Sequence, residues 1–121
     1  MPKHLLIADD NTIIREVLKE SLQMMPEVED CRGAVNGRNA VEKAKENKPD
    51  LIILDQAMPE MNGVQAAKVL NESMPEVPIV LFTMYHAGSW VEDVGIDAIV
   101  SKPDGIGRLA ECVQSLLASS R

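Results

Sequence analysis

Aromatic residues are almost absent: one Phe, one Tyr and one Trp make up 2% of the 121 residues. A core of stacked rings is excluded, so burial must come from Leu, Ile, Val, Ala and Met. Basic residues are outnumbered, with 12 Lys and Arg against 19 Asp and Glu, for a net charge of −7. That balance works against a direct grip on nucleic acid or on an anionic membrane, both of which need basic patches. Cysteine is scarce. Cys31 and Cys112 cannot build a disulfide scaffold, and neither stands in a CxxC or Cys/His pattern that would hold zinc. Both read as reduced thiols of a cytoplasmic protein. Long apolar runs are missing too. Nothing approaches a membrane span, and the start MPKHLLIADD has too short an apolar stretch for a signal peptide. The expectation is a soluble cytoplasmic chain with no nucleic-acid or membrane contacts of its own.

What the chain does have is alternation. Hydrophobic residues are 45% of the sequence, enough for one core in a single domain over residues 1–121. Residues 118–121 are a possible start of a linker to a further domain. Short apolar runs that read as buried parallel strands alternate with amphipathic runs of helical period. Leu5–Ala8 is the first strand. Asn11 or Thr12 caps a helix that is expected to bury Ile13, Ile14, Val17, Leu18, Leu22 and Met25 before Pro26 stops it. Val28–Val35 is more polar, as an edge strand would be, and Asn36-Gly37 turns the chain into a helix with Ala40, Val41 and Ala44 on its apolar face. Leu51–Leu54 is the most hydrophobic run. A helix around Val64–Glu72 precedes the strand Pro78–Thr83. Met84 to Val94 holds at most a short helix. Ala98–Ser101 is the last strand, and Gly105 and Gly107 turn into a final helix that buries Ile106, Leu109, Ala110, Val113, Leu116 and Leu117. Met24, Met25, Met58 and Met61 read as packing, and His4 and His86 as surface residues. Five strands alternating with five helices predict an α/β fold with a doubly wound, five-stranded parallel sheet.

In such a sheet, ligands bind outside the carboxyl ends of the strands. The polar residues at those ends are Asp9-Asp10, Asp55, Thr83 and Lys102. Crowded carboxylates repel one another, and a hard divalent cation such as Mg²⁺, with oxygen ligands, offsets the repulsion. A lysine opposite adds a positive point charge. Such a group suits a transferring phosphoryl unit, with a carboxylate as nucleophile and the cations neutralising the phosphoryl oxygens. Lys102-Pro103 is also an X-Pro bond, where a cis peptide would be cheap enough to aim the lysine.

The order apolar-strand–DD, apolar-strand–D followed by MPEMNG, apolar-strand–T and apolar-strand–KP resembles the receiver domain of bacterial two-component response regulators. The resemblance runs from Leu5 to about Leu117. It implies a CheY-like, flavodoxin-like (βα)5 fold with strand order 2-1-3-4-5. It implies that Asp55 accepts a phosphoryl group and that Asp10 binds Mg²⁺ directly, with Asp9 partly acting through water. The backbone carbonyl of Ala57 would be a further ligand, Thr83 would bond a phosphoryl oxygen, and Lys102 would pair with the phosphate. The implied partners are a sensor histidine kinase or phosphotransfer protein, and a downstream protein target or a fused output domain. Docking near Ile13, Ile14 and Arg15 is carried by the same resemblance. Tyr85 and Trp90 read either as recognition residues or as cover for the sheet.

Some positions depart from the family pattern. Ile99 stands where an aromatic switch residue is usual, Met84 where a small residue is usual, and the stretch from Thr83 to Lys102 looks shortened. Ala57 and Tyr85 replace polar residues that can position an attacking water, so a long-lived phospho-state is expected. Two rival readings stay open at this point. One is a pseudo-receiver that acts as an interaction module without phosphorylation. The other is an aspartyl-nucleophile phosphatase, which would want a second Asp where Ala57 stands.

Overall fold

The computed structural model describes residues 2–84 and 95–119. Five parallel strands, β1 (Lys3–Ala8), β2 (Val28–Ala34), β3 (Leu51–Leu54), β4 (Ile79–Thr83) and β5 (Ala98–Ser101), form one sheet in the order β2-β1-β3-β4-β5. Among the described residues four helices connect or follow them: α1 (Thr12–Gln23), α2 (Gly37–Glu46), α3 (Gly63–Ser73) and α4 (Gly105–Ala118). The expected fold class and strand order are the observed ones. The fifth helix, and the readings placed on Tyr85, His86 and Trp90, fall outside the described residues.

Side chains alternate across a strand, so each apolar strand feeds two layers. Leu6, Ala8, Ile52, Leu54, Ile79 and Leu81 pack on one face with Ala40, Val41 and Ala44 of α2 and Ala66, Ala67 and Leu70 of α3. Leu5, Ile7, Leu51, Ile53, Val80, Phe82 and Val100 pack on the other with Leu18 and Leu22 of α1 and Leu109, Val113 and Leu117 of α4. Small residues on α2 and α3 let those helices lie close to the sheet, while the single Phe is spent in the opposite layer. β2 is an edge strand, as its polarity predicts.

Several expectations need correction. The α1 stripe is narrower than its sequence period: Leu18 and Leu22 are buried, but Ile13 is 75% exposed and Val17 41%. A helix lying over an edge strand meets the sheet along one line only, so apolar residues a third to nearly half a turn away stay in solvent. Met24 does not pack, at 83% exposed, because it follows the last turn of α1. Met58 is buried, and Met25 and Met61 are partly so. In α4, Ile106, Ala110 and Leu116 are half-buried rather than buried. Gly107 lies inside α4; only Gly105, with φ of 91°, serves the turn. Lys102–Pro103 is trans, as is every described peptide bond; the turn Lys102–Asp104, a short 3-10 helix with Pro103 near its start, positions the lysine instead.

Candidate functional site

Strand register brings the candidate residues together. Ala8 pairs with Leu54, so the residues that follow, Asp9 and Asp55, leave the sheet side by side. Asp9, Asp55 and Lys102 continue the rows Leu5-Ile7, Leu51-Ile53 and Val100, all of which face the α1 and α4 layer. That shared parity explains why these three meet. Thr83 ends β4, opposite Ser101, and continues the Ile79-Leu81 row of the other layer.

The Lys102 ammonium donates to Asp9 Oδ2 at 2.9 Å and lies 3.4 Å from Asp55 Oδ2. Asp9 is only 2% exposed, Asp55 6% and Thr83 1%. Carboxylate oxygens of Asp9, Asp10 and Asp55 lie within 4.8 Å of one another. Asp10 is the exposed member and Ala57 is exposed in the loop beyond Asp55. Two buried carboxylates against one ammonium leave an excess of negative charge. Burial, and then repulsion from Asp9, push the Asp55 carboxyl above its ordinary value, while Lys102 and the Gln56 amide pull the other way. Burial disfavours the Lys102 ammonium, but its bond to Asp9 and the fields of Asp55 and Asp9 outweigh that, and the lysine is held above its usual range. Three hard oxygen donors with surplus charge and one exposed member match what Mg²⁺ requires: a few carboxylates with room for water.

The loop after Asp55 is built by one residue that sequence reasoning passed over. Gln56 donates its amide to Asp55 Oδ1 at 2.9 Å, and its side chain accepts from Val64 N at 2.9 Å. Its carbonyl also accepts from Met58 and Gly63. Gln56 thus ties the Asp55 carboxylate to the start of α3. Asn62 and Gln65 close that helix end with a reciprocal capping box. Gly63 must be glycine, because a Cβ there would sit 2.4 Å from the Asp55 carbonyl oxygen. Glu60 takes a left-handed conformation, φ 66°, and its carboxylate accepts from Asn36 Nδ2 at 3.1 Å, while Gly37 N donates to Met61 O at 3.1 Å. The loop is therefore anchored on both α2 and α3. The MPEMNG motif signals such a loop; the bonds of Gln56 depend on tertiary placement and leave no mark in sequence.

At the other end of the molecule, the exposed His4 imidazole contacts Asp30 Oδ1 at 2.5 Å, as a surface reading of His4 allows. Cys31 is buried and Cys112 half-buried, both as free thiols; burial pushes Cys31 up to about 12, which makes it inert. Among the described residues no helix is long and apolar enough to cross a membrane.

Residues 5–114 match the family described as the response regulator receiver domain. The chain is 40% identical over 89 residues to transcriptional regulatory protein LnrK of Bacillus subtilis, covering 74% of this chain and 40% of that one. It is 30% identical to response regulator protein VraR of Staphylococcus saprophyticus, covering 94% of this chain and 56% of the relative. The chain thus spans about half or less of these curated relatives. Among solved structures, the response regulator domain of Thermotoga maritima CheB aligns with a TM-score of 0.84 at 25% identity, covering 99% of this chain and 96% of that one. Vibrio cholerae chemotaxis protein CheY4 aligns at 0.86 and 26%, covering 95% and 98%. The fold, the register that gathers the strand-end acids with a lysine, and these likenesses lead to one assignment: the chain belongs to the response regulator receiver domain family of two-component signalling.

Proposed function

We propose that Asp55 accepts a phosphoryl group from the phosphohistidine of a sensor kinase or phosphotransfer protein, with Mg²⁺ held by Asp9, Asp10, Asp55 and the Ala57 carbonyl. The observation that carries this reading is the surplus of buried carboxylates around a single ammonium. A structural ion pair would balance its charges, whereas a site that must take up a cation and a phosphoryl group keeps an excess. An Asp55 oxygen attacks phosphorus, the P–N bond to the donor imidazole breaks, and an acyl phosphate forms as neutral imidazole departs. The bound cation supplies charge neutralisation at the phosphoryl oxygens. The Gln56 amide holds Oδ1, which leaves Oδ2, on the Lys102 side, as the attacking atom. Lys102 turns from Asp9 and Asp55 to the new phosphate, and Thr83 offers its hydroxyl.

The added charge biases an equilibrium between two surfaces. Met84 and Ile99 are 62% and 43% exposed on the β4–β5 side, and the readout surface forms there without the usual aromatic. The output is contact with a downstream protein or with a fused output domain. With Ala57 unable to orient water, the acyl phosphate persists; loss within seconds from the isolated chain would contradict this. The test is intact-mass measurement after incubation with acetyl phosphate and Mg²⁺. One phosphoryl adduct is expected for the native chain and none for Asp55→Asn. No adduct on the native chain would favour the interaction module that works without phosphorylation.

A further inference from the structure

Arg15 breaks a local rule. It is the fourth residue of α1, where the positive end of the helix dipole disfavours a cation, and α1 has no acidic residue in its first turn. Gly33, the last residue but one of β2, breaks another, since glycine within a strand costs backbone entropy and packs nothing. Gly33 has no positive φ to require it. The two exceptions explain each other. A Cβ on Gly33 would lie 3.0 Å from Arg15 Cδ and 3.3 Å from Nε, so the arginine stem runs directly over the bare backbone of β2. At its end, Arg15 Nη1 donates to the Asp9 carbonyl at 2.7 Å, and Nη2 reaches Thr12 Oγ1 at 3.4 Å.

The bond to Asp9 completes a four-point hold. Asp9 N donates to Ala34 O at 3.1 Å, Oδ1 accepts from Asn11 N at 2.9 Å, Oδ2 accepts from Lys102, and the carbonyl accepts from Arg15. The carbonyl of Asp9 belongs to the peptide that joins it to Asp10. Whatever fixes that plane sets the direction in which Asp10 leaves the chain. Asp10 is exposed, and the direction of its Cα–Cβ bond, which that peptide sets, decides which neighbouring oxygens its carboxylate can join.

We infer that Arg15 is a positioning residue for the metal site: it locks the Asp9–Asp10 peptide and so directs the Asp10 carboxylate toward the oxygens of Asp9 and Asp55. This rests on the Mg²⁺ reading above. Partners that orient a ligand from behind typically change metal affinity by about ten- to a hundredfold when removed. Arginine suits the task because its planar fork spans two acceptors while its stem packs in the glycine slot.

The experiment is a calorimetric Mg²⁺ titration of the full chain, native and with Arg15→Ala or Arg15→Lys, beside metal-free thermal melts. Arg15→Ala is expected to weaken Mg²⁺ about tenfold. Arg15→Lys keeps charge and stem but not the fork, and is expected to weaken it about threefold. A purely structural role would lower the melting temperature and leave affinity unchanged. Binding within about twofold of native by a folded Arg15→Ala chain overturns the inference while the metal site stands. If Arg15→Ala does not melt cooperatively, Arg15→Lys decides by the same criterion. Absence of Mg²⁺ binding by the native chain overturns both the inference and the reading beneath it.

Discussion

The two edges of the sheet carry charge in opposite ways. At the carboxyl edge, Asp9 and Asp55 are buried and Lys102 partly so, and the three are unbalanced, two acids to one ammonium. At the amino edge, His4–Asp30 and Lys48–Glu76 are paired one to one, with every side chain roughly half exposed. Exposed pairs contribute little, because water and salt screen them. A buried surplus costs stability and needs another reason to exist. The contrast separates charge that decorates a surface from charge that forms a site.

Lys102→Met should produce the largest effect. It strips two buried carboxylates of the one ammonium that pairs with both among the described residues, and a loss of about 3 kcal/mol is expected from metal-free chemical denaturation. Saturating Mg²⁺ should recover part of it, since a second cation can replace the first. Gly63→Ala comes next. Its Cβ would press on the Asp55 carbonyl, and about 2 kcal/mol of stability should be lost, together with weaker Mg²⁺ binding by calorimetry.

Asp55→Asn should go the other way and raise the melting temperature without metal by on the order of a few degrees. The sign follows from proton binding. The folded carboxyl titrates above its ordinary 3.8, so the folded state holds its proton more tightly and stability falls as pH rises through that interval. Melts of native and Asp55→Asn should converge on acidification. The smallest effects belong to the amino edge. Glu76→Gln should change stability by less than about 0.5 kcal/mol. His4 is raised above 6.5 mainly by its bond to Asp30, so its contribution is full below 6.5 and fades as pH climbs past the raised value. Native and His4→Ala melts should differ slightly at about pH 5 and coincide at about pH 9. A large loss from Glu76→Gln, or none from Lys102→Met, would dissolve the contrast between the edges.

Much of this was legible in sequence because it depends on period and punctuation. Leu51–Leu54 and Ala98–Ser101 are unbroken apolar runs bounded by breakers, and their limits match the strands. Asp9, Asp10, Asp55, Thr83 and Lys102 were readable because each follows or ends such a run. What the sequence hid depends on what lies opposite. Ile13 and Val17 fit a helical stripe, but the stripe cannot reveal how narrow a line the helix shares with the sheet. Arg15 was read only as part of a docking surface near the site, since its bond to Asp9 depends on the bare backbone of Gly33 on the next strand, β2. Gln56 looked like loop filler; its link between Asp55 and Val64 exists only once the loop is folded.

The most direct test is to trap the acyl phosphate by borohydride reduction after treatment with acetyl phosphate and Mg²⁺, and to map the modified peptide. The reduction mark should fall on Asp55 alone. A mark on Asp9 or Asp10, or on no residue of a chain that demonstrably binds Mg²⁺, would contradict the assignment of Asp55 as the acceptor.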